Sequence, residues 1–208
     1  KPVKKMMKVW TLSGGHPVVN VEEKNKTLYF KQERFFRSPL SRKSLNDKSI
    51  WPIPLSMFCG SEDSQRELFM NKKTFSADAG DYQWIKLNID ETGVYRTKYS
   101  PILLDKLRQP IEKKVLTAED RLGIIRDLFA FAEAGEMQTI DVLEFSASYR
   151  KETSFIVWSE IISGLSRVKN LYHGASWIAD YEAYVRWLLL PIIAHLGFEE
   201  KKDEAHSD

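Results

Sequence analysis

From Val9 to Tyr99 the apolar residues come in short runs broken by Gly, Pro, Asn and Asp. Pro17 to Val21 and Thr27 to Lys31 flank the polar stretch Glu22 to Lys26, a spacing that predicts a hairpin. Ile53 to Met57 alternates, but Pro52 and Pro54 have no N–H to give a ladder, so this strand is expected at a sheet edge. Leu68 to Met70, Thr74 to Ala77, Trp84 to Asn88 and Val94 to Tyr99 supply further short strands. Between the last two, Asp90-Glu91-Thr92-Gly93 forms a turn, with Gly93 the residue free to take positive φ. About seven short strands separated by turn signals predict a β-sandwich. Residues 37–49 are polar and basic and are expected to form a solvated loop.

After Tyr99 the period becomes helical. Ser100-Pro101 places a capping hydroxyl before a proline at the first helical position. Thr117 is expected to cap a helix carrying Leu122, Ile125, Leu128, Phe129 and Ala132 on one face, with Gly135 ending it. Thr139 to Tyr149 fits a shorter helix. Ser154 opens a helix striped by Trp158, Ile161, Ile162, Leu165 and Val168. Ser176 opens another, striped by Ile178, Tyr181, Val185, Leu188, Leu189 and Ile192 and followed by Gly197. The pattern predicts a two-part α+β chain: a β-sandwich over residues 1–99 and a helical, solenoid-like segment over 100–208. Val185, Trp187 to Leu190, Ile192 and Ile193 make the last helix apolar around most of its circumference, which calls for a covering surface.

Composition narrows the function classes. Among 208 residues, 31 Lys and Arg face 29 Asp and Glu, a net charge of +2 that gives no electrostatic footprint for nucleic acid or an acidic membrane. The longest apolar stretch, Trp187 to Ala194, is far short of the ~20 residues of a membrane span. One cysteine, Cys59, forbids an internal disulfide and favours a reducing compartment. The chain opens on Lys1 rather than Met, which suggests a piece of a longer polypeptide.

Residues capable of chemistry are present but not in catalytic spacing. His16, His173, His195 and His206 include no pair four apart, and none precedes a glutamate, so the zinc-peptidase pattern H-E-x-x-H is missing. Cys59 reads as a buried strand residue, since nothing near it in sequence would lower its pKa. Gly14-Gly15 lacks the rest of a phosphate loop. Glu133 and Glu136 flank Gly135 and read as a solvated helix cap. The residues themselves give no catalytic or metal site and leave substrate contacts open.

Several segments taken together are familiar. Trp10-Thr11 with Gly15 to Val21, Gln32 to Phe35, Trp51 to Leu55, and Trp84 to Asn88 followed by Gly93 to Tyr99 resemble the sandwich domain of the gluzincin zinc aminopeptidases. Asp120 to Gly123, Asp127 to Phe129, Ala134-Gly135, Glu152 with Val157-Trp158, and Leu196 to Phe198 resemble the opening of that family's C-terminal helical domain. The likeness runs along nearly the whole chain and looks closest to the puromycin-sensitive, cytosolic type.

The resemblance implies an internal, non-catalytic piece that links a catalytic domain to a helical cap. It implies no cofactor here and zinc in the parent, whose activity would be removal of N-terminal residues from peptides. The implied partners are the parent's catalytic domain and later helices, with peptides reached only through the parent, and the implied location is cytoplasmic. Trp84, Gly93, Tyr95, Arg96, Tyr99, Arg121, Asp127 and Trp158 are its structural signature, with Tyr95 and Arg96 expected to tie the last strand to the first helices. The competing reading is a stand-alone scaffold that binds peptides or proteins on the concave side of its helices.

Overall fold

The computed structural model describes residues 3–44, 47–60 and 65–197. The β-type reading from Val9 onward begins too early, because the chain opens with helix α1 (Val3–Leu12). Met6, Val9 and Trp10 are its half-buried residues, spaced as one helical face, and the Trp10 indole donates to the Pro52 carbonyl at 3.1 Å.

Seven strands follow among the described residues. One mixed sheet has the order β5 (Thr74–Asp78), β2 (Thr27–Arg34), β1 (Pro17–Lys24), β7 (Arg96–Tyr99). Strands β1 and β2 form the expected hairpin, turning through Asn25 and Lys26 at positive φ, while β7 runs parallel to β1. The second sheet is antiparallel, in the order β4 (Gln65–Met70), β3 (Ile53–Cys59), β6 (Ile85–Leu87). Val19, Val21, Leu28 and Phe30 from the first sheet share one core with Ile53, Leu55, Met57, Ile85 and Leu87 from the second.

Three strand-region expectations change. Strand β3 is central, not an edge, yet β6 pairs only with Met57, Phe58 and Cys59, so Pro54 sits where, among the described residues, one flank of β3 has no partner strand. The stretch 37–49 contains helix α2 (Pro39–Ser44), and ion pairs clamp it: Arg42 to Glu33 at 2.7 Å and to Glu136 at 3.2 Å. Gly93 does not take positive φ; that backbone falls instead on Asn88, Asp90 and Glu91. A glycine is needed at 93 for room, because a Cβ there would lie 2.4 Å from the Tyr95 ring.

The helical half is α3 (Pro101–Lys106), α4 (Arg108–Glu112), α5 (Ala118–Glu133), α6 (Thr139–Ser146), α7 (Phe155–Leu171) and α8 (Ile178–Leu196). Thr117 caps α5 as expected, its hydroxyl accepting from the Asp120 amide at 3.2 Å. Gly135, at φ +68°, ends it with the Glu136 amide donating to the Phe131 carbonyl. The other capping expectations fail in detail. The Ser100 and Ser154 side chains make no cap bond, and α8 starts after Trp177 rather than at Ser176. Helix α5 is the hub: it packs on α6 and α7 and also touches β7 and the turn Ile89–Glu91. Gly164 of α7 lets the helices close, since a Cβ there would meet the Phe129 ring at 2.3 Å. Helix α8 is held by Tyr181, which donates to the Leu165 carbonyl, and Tyr184, which donates to that of Leu143.

Candidate functional site: the joint between sheets and helices

The residues that carry the resemblance converge in two places. At the first, Gln32 of β2 is fully buried and pairs both ways with the backbone of Trp51, accepting from its amide at 2.8 Å and donating to its carbonyl at 2.9 Å. Arg34 then binds Asp47 at 3.0 Å, donates to the Ser49 hydroxyl and the Gly14 carbonyl, and lies over the Trp51 ring. One glutamine and one arginine thereby hold α1, β2 and the approach to β3 together.

The second place joins sheets to helices. In β6 the apolar run is interrupted by Lys86, which is buried with Asp120 of α5 against its ammonium. Its ammonium donates to the carbonyls of Leu87 (2.6 Å) and Asn88 (2.9 Å) and pairs with Glu91 (2.9 Å) and Asp120 (3.1 Å). A buried ammonium is tolerated only with such partners. Asn88, left-handed at φ 60°, accepts from the Gly93 amide and donates to the carbonyls of Gly93 and Tyr95, closing the turn on itself. Glu91 also pairs with Arg126, and Asp120 accepts from the Asp90 amide at 2.8 Å. Gly123 opposes Glu91 so closely that a Cβ would fall 1.9 Å from its carboxyl.

One strand further on, Asp127 of α5 forks across β7. One carboxyl oxygen takes Arg96 at 2.6 Å and the other takes the Thr97 amide at 2.8 Å. Burial pushes the Asp127 carboxyl up to about 6, against the pull of Arg96 and the Thr97 amide. Deeper in the helices, Arg121 grips Glu152 with two nitrogens at 2.6 and 2.9 Å. Burial pushes the Glu152 carboxyl up, but Arg121 and the amides of Thr153 and Ser154 outweigh it and hold the group below its ordinary value. Trp158 donates to the Glu152 carbonyl and Tyr149 to that of Arg121. Of the signature residues, Tyr99 accepts from the Leu87 amide, Tyr95 is buried against Gly93, and Trp84 packs edge-on to Phe58.

Sequence reasoning missed Lys86, Glu91 and Asp120 as one cluster. The available signal was a lysine inside the apolar run Trp84-Ile85-Lys86-Leu87, a position that needs an acidic partner if both faces are covered. Glu136 also departs from the expected solvated cap: its side chain is buried between Lys98 (2.9 Å) and Arg42, whereas Glu133 is exposed as expected and pairs with Arg37 and Arg167. The joint binds charge to charge and offers no nucleophile with a base beside it. Cys59 is buried in β3, His173 and His195 are exposed on the helical side, and His206 lies outside the described residues. Among the described residues no three His, Cys, Asp or Glu side chains gather as a metal-ligand set. Nor is any described helix long and apolar enough to cross a membrane.

Comparison with known proteins points the same way along the whole chain. The family model described as the ERAP1-like C-terminal domain matches residues 84–208. Aminopeptidase M1-D of Oryza sativa subsp. japonica is 33% identical across 100% of this chain, Aminopeptidase M1 of Arabidopsis thaliana 28% across 100%, and "Aminopeptidase 2, mitochondrial" of Saccharomyces cerevisiae 29% across 100%. The chain spans 25%, 25% and 22% of their respective lengths.

Proposed function

Because the chain belongs to the M1 aminopeptidase family, with an ERAP1-like C-terminal domain over residues 84–208, we propose that it is the non-catalytic segment that fixes a helical cap to the rest of such an enzyme. The whole enzyme would remove N-terminal residues from peptides, with zinc held by residues outside this chain. In this reading residues 1–99 form the sandwich, residues 100–208 begin the helical domain, and the partners are the catalytic domain and further helices. The observation that supports it is the joint itself. Asp127 spans from α5 to the side chain of Arg96 and the backbone of Thr97, while Lys86 gathers Glu91 and Asp120 from the two sides. Such a cluster suits a role in fixing the angle between two layers. We place the protein in the cytoplasm, on its likeness to the cytosolic type; microscopy of the tagged protein showing it in mitochondria would contradict that placement.

A chimera tests the proposal. With this chain replacing the matching quarter of rice Aminopeptidase M1-D, aminoacyl hydrolysis should persist, whereas the isolated chain should show neither turnover nor stoichiometric zinc. Chelator-sensitive hydrolysis by the isolated chain, or a cooperatively folded chimera without activity, would overturn it.

A further inference from the structure

Beside the joint, a cleft of about 450 Å³ opens between sheet and helices. Its sheet wall is Gly15, His16, Phe35 and Arg96, and its helical wall is Arg126, Glu133, Glu160 and Arg167, with Arg37 at the mouth. Four guanidiniums and two carboxylates therefore face one small space. The two carboxylates are already engaged: Glu133 by Arg37 and Arg167, and Glu160 by Arg167 at 3.2 Å. Arg96 and Arg126 each use a single terminal nitrogen on a carboxylate behind the wall, Asp127 and Glu91 respectively. A guanidinium has five donors, so most of theirs remain for another acceptor. The Arg96 Nε is buried with no hydrogen-bond partner among the described residues, a state that costs stability unless something accepts from it.

The sheet wall is preorganised. The Phe35 ring carries the His16 imidazole stacked on it at 5.3 Å and the Arg96 guanidinium over it at 4.8 Å. Together with the Asp127 ion pair, this contact positions Arg96 at the cleft, where its guanidinium suits an oxyanion. The local field has the same sign: burial, then Arg96 and Arg126, hold His16 below its ordinary value.

We propose that this cleft is a binding site for a small oxyanion, a carboxylate or a phosphate, held between Arg96 and Arg126 with Arg37 closing over it. The site is independent of the aminopeptidase reading, since it rests on this chain's own cleft. Bound there, an anion would sit beside His16 and reverse the field that now disfavours the imidazolium.

His16 is therefore the reporter. In the full chain, NMR titration of its ring protons should show the His16 pKa rising by about one unit as succinate or inorganic phosphate is added, saturably, and not with equimolar chloride. Arg37→Gln, at a side chain exposed enough to leave the fold alone, and Arg126→Gln should each weaken the effect about tenfold, while Lys24→Gln on the far hairpin should not. A response to only one of the two anions would support the site and identify its class. No saturable shift at millimolar anion, or a shift equal in wild type and Arg37→Gln, would overturn the proposal. Should Arg126→Gln fail to fold, Arg37→Gln carries the test alone.

Discussion

At Gly123 the chain exchanges helix propensity for space. Alanine there would gain about 1 kcal/mol of intrinsic helix stability, yet its Cβ would occupy the place of the Glu91 carboxyl. Glu91 is anchored by Lys86 and Arg126, and displacing a partner from a buried cation costs about 3–5 kcal/mol. Gly123→Ala is therefore expected to lose about 2 kcal/mol net, measurable by urea denaturation; a stabilised variant would show that Glu91 moves freely. Glu152 sets the acid limit. Its folded pKa is depressed, so its contribution is full above the ordinary value of 4.5 and is lost as pH falls through the lower folded value. Asp127 has the opposite sign: its raised value, about 6, means that ionising it costs stability above that pH and the cost is relieved toward 3.8. Glu152→Gln should start less stable at neutral pH by about 3 kcal/mol and lose less on acidification. Parallel stability–pH curves for the two proteins would refute the assignment.

At the scale of elements, what could be read in the sequence was what local chemistry decides. Thr117 and Gly135 bracket α5 because a hydroxyl cap and a left-handed glycine act on the backbone next to them. Helix α1 escaped because Met6, Val9 and Trp10 make only a narrow stripe, and the partner of that stripe, Trp51, lies far along the chain. Helix α2 escaped because Arg42 reaches Glu33 of β2 and the distant Glu136, pairings that the helical period does not signal. The edge expectation for β3 was right about Pro54's neighbourhood and wrong about the strand, since a three-residue β6 leaves that end uncovered. The signature residues could be named from sequence, but the Lys86 cluster that shares their joint could not, because its carboxylates arrive from a turn and a helix. The crossing of α5 and α7 makes its own prediction. Gly164→Ala should cost about 1 kcal/mol, propensity gained set against overpacking on Phe129, and a calorimetric midpoint unchanged or raised would contradict the close approach.

The whole molecule leaves apolar surface on its helical end. Phe155 is 83% exposed, and Trp187, Leu190, Ile193 and Leu196 of α8 are also exposed, as the all-round apolar pattern of that helix led one to expect. Light scattering of the isolated chain should show concentration-dependent association together with binding of a hydrophobic dye; a dye-silent monomer at high concentration would contradict this. The central claim, that the joint welds sheets and helices into one unit, is tested most directly by thermal unfolding followed at both sides at once. Amide exchange would be read at β7 and at α7 across the transition. A single core runs from Val19 to Ile192, so the account expects coincident midpoints in the wild type and, once Asp127→Ala removes the fork, a lower midpoint on both sides or a split between them. Helices that melt apart from the sheets in the wild type, or an Asp127→Ala protein indistinguishable from it, would contradict the account.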